Sequence, residues 1–543
     1  MLRTLLTLLA ASTLLTAPAP AQSDWTNYGG GPGRNGLTDR FGPTSSSELW
    51  SNGADFSVIA WHPFLWQELV ITVREAGFPG AQANDAIVAY HRETGLEVWR
   101  TTLPYGGDSG AEWIAWIGGV ADGRVIASRS DNGRKLPLQA LDASTGAPLW
   151  TSQIATFAWA HDGLVFLDDG DFIVGDRESL TRVDGSDGTT VWSIARSCSV
   201  SGNCGAARFA DAVYIDEAAP GGQVLTRVDA NTGARLYSSP AMPGFTCQNQ
   251  PFLSPDGQVV YYARSQNNPT TDFLYAFHDD GTQFTEVWNR PIRWTTRHEH
   301  GVAADGSIYT FLPGDEFVRL DPATGNVLNT AGILAPIGTN LSPQTAVDAA
   351  GRVYVSNGWA SSPASDGRVW AFGPDLGAPL FTLFLDRQNA GGPAIGGQGE
   401  LVIADRSAVR VLRLPGPQAS ATPRFGSGVN PVAFDAVNPP EVYGEFEAQV
   451  AVDASTALTV VLVSIAPLAV PIPFEGGELL VALPSPFPIQ SEPLSSGGLH
   501  ALAIPGDPAL LGAFLTSQGA RVQLNGPVPS LQLGNALDLI LGF

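Results

Sequence analysis

The chain has 543 residues, which is too long for one ordinary compact domain but within the range of a repeat architecture. Charged residues make up 15% of it, the formal net charge is −23, and Lys135 is the single lysine. Such an acidic surface repels phosphate backbones and anionic membranes, so nucleic acid is excluded as an expected partner, and the 44% hydrophobic content excludes a disordered chain.

The first predicted element is a secretory signal peptide at residues 1–21. Arg3 precedes a short apolar run, and small residues ending at Ala21 predict cleavage before Gln22. The run is too short to span a membrane, which takes about 20 apolar residues. We therefore expect an exported protein in the periplasm, at the outer surface or outside the cell, with no transmembrane segment once the leader is removed.

Residues 22–46 follow as a glycine-rich lead-in that contains the sequence DWTNYGGG. Clustered glycines do not support regular secondary structure. This segment is predicted to be a loop that leads into the first strand.

A repeated unit fills residues 47–414. Its clearest copy, LQALDASTGAPLW at 138–150, predicts a strand, a glycine-containing turn and a second strand that ends in an aromatic residue. Copies recur every 42 to 52 residues, a spacing typical of a β-propeller. The turn glycines of the seven copies are Gly95, Gly146, Gly188, Gly233, Gly281, Gly325 and Gly377.

Eight inner hairpins accompany these seven outer motifs, so the last unit lacks an outer strand. The sequence ELW at residues 48–50 has the same apolar-then-tryptophan ending as the repeats. Pairing this strand with the last unit would remove two exposed sheet edges. The sequence therefore predicts an all-β fold: an eight-bladed β-propeller closed by an N-terminal strand near residues 47–52.

The lead-in and the repeated Asp-x-x-Thr-Gly-x-x-x-Trp turn resemble the pyrroloquinoline-quinone-type β-propeller repeat family over residues 24–415. That family includes quinoprotein alcohol dehydrogenases and cofactor-free members such as a bacterial outer-membrane assembly scaffold. The resemblance implies that an aromatic residue of each unit docks one blade onto the next, which suits a large apolar ring. The residues at this position are Trp50, Trp99, Trp150, Trp192, Tyr237, Trp288 and Phe381.

Three cysteines are present. Cys198 and Cys204 lie close together in one loop and are predicted to form a disulfide in an oxidising compartment, which leaves Cys247 free or partly buried. The family's dehydrogenases carry a disulfide between adjacent cysteines, stacked on the quinone. No adjacent pair occurs in this chain, which argues against that activity.

The loops that enter each innermost strand supply the candidate ligand-binding residues at the mouth of the central channel. His298 and His300 would point to the same side of a strand and could ligate a transition metal, but the same residues also suit a polar cluster with no metal. No calcium-binding loop, serine-hydrolase elbow or phosphate-binding loop is present. The channel-mouth candidates are Trp61, His62, Trp116, His161, Arg208, Arg297 and Glu299.

The repeat ends after Leu414. Residues 415–423 are predicted to be a proline-containing linker, and residues 424–543 show short apolar strands typical of a small β-sandwich. This C-terminal part resembles a module found on exported bacterial proteins, which implies a role in attachment or sorting.

The sequence predicts a monomeric, non-catalytic propeller that serves as a scaffold for a protein or a surface polysaccharide, with no cofactor. The alternative from another class is a quinone-dependent dehydrogenase with a divergent site, which would bind pyrroloquinoline quinone with calcium. A glycoside hydrolase or lyase would need two opposed carboxylates from distant blades.

Overall fold

The computed structural model of the protein describes residues 25–57, 62–74, 84–107, 114–129, 134–158, 163–198, 205–243, 250–264, 272–293, 300–337, 344–358, 366–386, 390–413, 416–417, 419–442, 444–474, 477–483, 490–505, 508–524 and 529–542. The predicted signal peptide lies outside these residues. One compact unit comprises Ser23–Gly396 and Glu400–Leu414, and a second includes Pro415–Phe543. Within the described ranges, no helix is both long and apolar enough to cross a membrane.

The first unit is built from four-stranded antiparallel sheets, eight of them in the part of the chain that the structure describes. In sheets 1 to 7, four consecutive strands lie side by side in chain order. Sheet 1 contains β2 (Phe64–Trp66), β3 (Leu69–Arg74), β4 (Ala86–His91) and β5 (Glu97–Thr102). Sheet 2 contains β6 (Ala115–Ala121), β7 (Arg124–Arg129), β8 (Leu136–Asp142) and β9 (Pro148–Thr156). Sheet 3 contains β10 (Leu164–Phe166), β11 (Phe172–Gly175), β12 (Ser179–Val183) and β13 (Thr190–Ala195).

The next four sheets continue along the chain. Sheet 4 contains β14 (Ala207–Phe209), β15 (Ala212–Ala219), β16 (Gly222–Asp229) and β17 (Arg235–Ser238). Sheet 5 contains β18 (Phe252–Leu253), β19 (Val259–Arg264), β20 (Asp272–Asp279) and β21 (Phe284–Ile292). Sheet 6 contains β22 (Gly301–Val302), β23 (Ile308–Leu312), β24 (Glu316–Leu320) and β25 (Val327–Ile333). Sheet 7 contains β26 (Thr345–Val347), β27 (Val353–Ser356), β28 (Gly367–Phe372) and β29 (Phe381–Leu385).

Sheet 8 combines strands from two distant parts of the chain. It contains β30 (Ala390–Ile395), β31 (Leu401–Asp405), β32 (Val409–Leu412) and, on the outside, β1 (Glu48–Asn52). Strand β1 runs antiparallel to β32, with Trp50 opposite Val411 and Asn52 opposite Val409. A strand from the N-terminal side thus completes the last sheet and covers an edge that would otherwise be unpaired.

The turn between the third and fourth strands follows from its sequence. In sheet 2, Asp142 Oδ1 accepts the backbone N–H groups of Ser144 and Thr145 at 3.0 and 2.8 Å. Hydrogen bonds from the hydroxyls of Ser144 and Thr145, and then these backbone bonds, lower the pKa of Asp142. Gly146 has a φ of 71°, a conformation that favours glycine. Asp184, Asp229 and Asp321 make similar turns in sheets 3, 4 and 6.

The outermost strand of each sheet is the least buried. Strand β3 is buried throughout its length, whereas in β5 only Trp99 is buried. The sequences of the inner strands are therefore mainly apolar, because each of their two faces is covered by a neighbouring sheet. The hydrophobic core lies between adjacent sheets.

In its described residues the second unit is also all-β, apart from two short 3-10 helices at Leu494–Ser496 and Pro508–Leu510. Its five-stranded sheet has the order β33 (Ser420–Arg424), β42 (Ser530–Ile540), β41 (Phe514–Gln523), β36 (Thr456–Ser464) and β39 (Gln490–Pro493). A three-stranded sheet has the order β34 (Phe434–Ala436), β35 (Glu445–Val450) and β40 (Leu499–Ala503), and a hairpin pairs β37 (Pro467–Phe474) with β38 (Gly477–Val481). Residues Ser420 to Arg424 pair with β42 as strand β33. This strand begins inside residues 415–423, the stretch predicted to be a linker.

Phe434 and Phe446 of the three-stranded sheet cluster with Val461 and Leu537 of the five-stranded sheet. These two sheets therefore share one apolar core. The prediction of a β-sandwich stays a prediction.

Candidate functional site

The first strands of sheets 1 to 7 surround residues 25–38, which we call the axial segment. Backbone carbonyls of this segment accept N–H bonds from the first strands of six sheets, in chain order. The donors and acceptors are Leu65 to Trp25 at 3.0 Å, Val120 to Thr26 at 2.8 Å, Arg208 to Pro32 at 2.8 Å, Leu253 to Gly33 at 3.0 Å, Val302 to Asn35 at 2.8 Å and Val347 to Gly36 at 2.7 Å. In sheet 3 the side chain of Asn27 donates to Leu164 O. One short segment that contacts seven first strands must lie on the axis where they converge.

The axial segment is irregular in backbone, as the sequence predicted for the lead-in, but it is buried. Trp25, Tyr28 and Arg34 are only 3%, 1% and 2% exposed. Arg34 Nε donates to Ala206 O at 2.5 Å, next to sheet 4. A segment predicted to be a loop therefore serves as part of the core of the propeller.

His62 meets the axial segment in a polar cluster. Its ring stacks on Trp25 with centroids 5.7 Å apart, and its Nδ1 lies 3.0 Å from Gln344 Oε1. Gln344 Nε2 donates to Tyr28 Oη at 2.7 Å. Burial lowers the pKa of His62 to about 3, so the imidazole is neutral at physiological pH and Nδ1 carries the proton that Gln344 accepts.

The metal candidate His300 and the channel-mouth candidate Trp116 lie in separate surroundings. His300 is 2% exposed and stacks on Phe252 with centroids 4.5 Å apart, and its Nδ1 lies 3.2 Å from Thr310 Oγ1. Trp116 is buried in the apolar core around sheets 1 to 3. Trp61, His161, Arg297, His298 and Glu299 lie outside the described residues, so the proposed pairing of His298 with His300 stays a prediction. Among the residues that can be described, no group of three His, Cys, Asp or Glu side chains could hold a metal ion.

Arg208 binds the first carboxylate of an acidic run, Asp168-Asp169-Gly170-Asp171. Its Nη1 and Nη2 lie 2.9 and 2.8 Å from the two carboxylate oxygens of Asp168, and these hydrogen bonds lower the pKa of that carboxyl. Arg182 binds Asp169 and Asp171 in the same run. The carboxylates of this run therefore hold arginines, and through Arg208 they tie sheet 4 to sheet 3.

Cys198 lies beside a buried ion pair. Its Sγ is 3.9 Å from Asp216 Oδ2, and Asp216 Oδ1 binds Arg196 Nη2 at 2.7 Å. Cys204 and Cys247 lie outside the described residues. The predicted Cys198–Cys204 disulfide stays a prediction.

A tryptophan links each of five pairs of sheets. In sheet 1, Trp99 Nε1 donates to Ala143 O of the sheet 2 turn at 2.9 Å, and its ring covers Gly146, where an added Cβ would lie 2.5 Å from the indole. The same arrangement joins Trp50 to Gly95, Trp150 to Gly188, Trp192 to Gly233 and Trp288 to Gly325. Because Trp50 belongs to sheet 8 and Gly95 to sheet 1, this contact also joins the last sheet to the first.

The other two aromatic positions differ. The Tyr237 hydroxyl donates to Asp279, which also accepts from Tyr214 Oη at 2.7 Å, so a polar cluster links sheets 4 and 5. Phe381 packs near Tyr354, with ring centroids 6.3 Å apart. In sheet 6 the equivalent residue is Asn329, which is not aromatic. At this junction Leu376, from the turn between β28 and β29, is buried in the core between sheets 6 and 7.

Sequence reasoning missed the roles of Tyr28, Arg34 and Asn35. A signal was present: the lead-in combines two large aromatic residues and an arginine with clustered glycines, a composition unlike that of an exposed linker. The pattern could not show which residues these three meet, since the partners lie up to 316 positions away along the chain.

Comparisons with known proteins extend this picture. A family model described as outer membrane protein assembly factor BamB matches residues 83–331. BamB from Moraxella catarrhalis is 16% identical, with a TM-score of 0.48 over 69% of this chain and 99% of that chain. A europium-containing methanol dehydrogenase is 12% identical, with a TM-score of 0.38 over 71% and 90%. A quinohemoprotein alcohol dehydrogenase from Pseudomonas putida HK5 is 12% identical, with a TM-score of 0.43 over 74% and 83%.

No curated protein matches the chain. The family match coincides with the run of four-stranded sheets and with the turns that the tryptophans cover. Residues 83–331 of this chain therefore belong to the pyrroloquinoline-quinone-like β-propeller repeat family.

Proposed function

We propose that this protein is an exported, non-catalytic β-propeller that acts as a rigid scaffold for a partner protein. The observation that carries the proposal is the axial segment, which fills the centre of the propeller with the chain's own residues. The family model is described as an assembly factor, and this supports a partner that is itself a protein. A surface polysaccharide is the other partner that the sequence suggests.

Occupation of the axis favours a scaffold over an enzyme. A ligand on the axis would have to displace six backbone hydrogen bonds and the buried rings of Trp25 and Tyr28. Each hydrogen bond contributes about 1 kcal/mol net, and burying an aromatic ring contributes a few kcal/mol more. The free energy needed to displace the axial segment would therefore oppose binding of a quinone on the axis.

We also propose that the eight sheets are the eight blades of one closed ring and that the C-terminal unit is a β-sandwich used for attachment or sorting. The β1–β32 pairing and the contact of Trp50 with Gly95 support ring closure. Export rests on the predicted leader, and mass spectrometry of the protein from its native source is expected to find Gln22 at its N-terminus. A mature chain that retains residues 1–21 would contradict export by this route.

The test against the dehydrogenase alternative uses the purified full chain incubated with pyrroloquinoline quinone and calcium. After gel filtration we expect no retained chromophore and no dye reduction with primary alcohols. One quinone retained per chain, together with alcohol-dependent dye reduction, would overturn the proposal.

The test for a protein partner uses a photo-crosslinking amino acid at exposed positions on the outer strands, in the native host. Val98, Val191 and Leu328 are suitable because each is 48% exposed. We expect at least one position to give a discrete protein adduct under ultraviolet light. Adducts that contain only polysaccharide would show that the partner is a glycan and would contradict a protein partner. The absence of any adduct at all three positions would contradict binding through the outer strands.

A further inference from the structure

We propose that the axis of the propeller is a peptide-binding site, and that residues 25–38 occupy it as a ligand supplied by the same chain. The ligand class is a compact, turn-forming, glycine-rich peptide with tryptophan and tyrosine three residues apart, followed by arginine and asparagine. This inference goes beyond the scaffold role, because it concerns the centre of the ring and holds whichever molecule binds the outside.

Recognition of the backbone is the first part of the argument. The propeller presents N–H groups from the first strands of sheets 1, 2, 4, 5, 6 and 7, and the axial segment presents carbonyls to them in sequence order. Near sheet 7 the segment also donates, from Thr38 N to Val347 O at 3.0 Å, so Leu37 pairs with Val347 as a short parallel bridge. Hydrogen bonds from the backbone of a domain to the backbone of a ligand supply affinity in peptide recognition.

Recognition of side chains is the second part. The ring of Trp25 lies against His62, the hydroxyl of Tyr28 accepts from Gln344, and Asn35 Nδ2 donates to Leu253 O at 3.0 Å. Arg34 Nε donates to Ala206 O next to sheet 4, and its guanidinium group lies against Gly163 next to sheet 3. Buried anchors with directional hydrogen bonds are what distinguish a specific ligand from a filler.

Two glycines provide the sharpest statement of specificity. Gly36 has a φ of 67°, and a Cβ added there would overlap the backbone oxygen of Thr345. Gly31 has a φ outside the left-handed region, and a Cβ added there would meet nothing within 4 Å. A site that binds this segment as a ligand must therefore reject alanine at position 36 and accept it at position 31.

The connection to the ring allows the proposal to be tested in the full chain. Thr44, Ser46 and Ser47 are exposed and lie between the axial segment and β1. Exposed polar loops tolerate insertions and are accessible to proteases. A protease recognition sequence inserted between Thr44 and Ser45 would permit the segment to be cut from the folded protein.

The first experiment cuts this full-length variant and separates it by gel filtration in native buffer. We expect the fragment that ends at the inserted site to elute with the propeller and to be found there by mass spectrometry. Release of the fragment would overturn the proposal, whether or not the remaining ring stays folded, because a ligand must remain bound without its tether.

The second experiment adds a fluorescent synthetic peptide of residues 25–38 to the cut protein and follows exchange by anisotropy. We expect the peptide to bind, the Gly31→Ala peptide to bind within about twofold of it, and the Gly36→Ala peptide to bind at least about tenfold more weakly, which corresponds to about 1.4 kcal/mol. Equal binding of the two alanine peptides, or no exchange by the unmodified peptide, would overturn the proposal.

Discussion

Trp99 shows at the scale of one residue how the repeat builds the propeller. Its ring is 7% exposed, covers a glycine of the next sheet and donates one hydrogen bond to the turn that contains this glycine. The turn must carry glycine both for its positive φ and for the close approach of the ring. Trp99 and the glycine it covers are about 47 residues apart, close to the length of one repeat, so one aromatic residue and one glycine join each such sheet to the next.

We expect Trp99→Ala to destabilise the protein by about 3–5 kcal/mol, the range for removal of a large buried ring. The matched control is Val98→Ala in the same strand, which should change stability by less than about 0.5 kcal/mol because Val98 is 48% exposed. Urea unfolding of both variants measures the difference. Equal midpoints for the two variants would contradict the role assigned to the indole.

His62 makes a prediction about pH. Its pKa is about 3 in the folded chain, against an ordinary value of 6.5, so between these values the unfolded chain binds a proton that the folded chain does not. Stability therefore rises with pH across this window, by about 1.4 kcal/mol per pH unit from this group alone. Above pH 6.5 the contribution is constant.

We expect His62→Phe, which keeps an aromatic ring against Trp25, to remove this dependence. Unfolding free energies measured from about pH 3 to 7 should show a shallower slope for the variant than for the natural chain. The variant should also lose a constant amount of stability at neutral pH, because Phe cannot donate to Gln344. Parallel slopes for the two proteins would show that His62 does not titrate as a buried neutral group.

Strand β1 illustrates the scale of an element. It has five residues, of which only Trp50 is buried, yet it supplies the fourth strand of sheet 8 and carries Trp50 onto sheet 1. A single strand of this length is not stable in water by itself, since even an isolated two-stranded hairpin is only marginally stable. Pairing with β32 provides the stability that the strand lacks.

We expect Ser51→Pro to weaken this pairing without loss of a buried side chain, because Ser51 is exposed and the proline ring holds φ near −65°, away from the extended backbone of an antiparallel strand. Hydrogen exchange measured by mass spectrometry should show faster exchange over β32. Ser46→Pro, in the exposed stretch before β1, serves as the control and should leave β32 protected. Unchanged exchange over β32 in Ser51→Pro would mean that β1 does not protect that edge.

At the scale of the whole molecule, the chain consists of two units, each with its own apolar core. The C-terminal unit buries Phe434, Phe446, Val461 and Leu537 in one cluster. A core of this kind is the property that permits a domain to fold alone.

We expect the fragment 416–543 to fold by itself and to melt cooperatively when followed by far-ultraviolet circular dichroism. Val461→Asp, at a fully buried position, should abolish that transition because it buries an unpaired charge. A fragment without a cooperative transition would show that this unit depends on the propeller for its stability.

The sequence by itself determined the repeat, the all-β class and the propeller, because each unit encodes its strands and turn within a few neighbouring residues. Asp142, Gly146 and Trp150 carry that local information, and the structure places them in a turn and the strand after it, as the pattern predicts. Even the origin of β1 could be read from ELW at residues 48–50, since its pattern matches the repeat.

Only the tertiary structure decided what occupies the centre of the ring. Gly36 meets Val347 and Asn27 meets Leu164 across separations that no local pattern encodes. The burial of His62 beside Trp25 likewise depends on strands from opposite parts of the chain converging on one axis. Periodicity fixes which residues form each sheet, whereas the contacts of the axial segment exist only once the sheets have assembled around it.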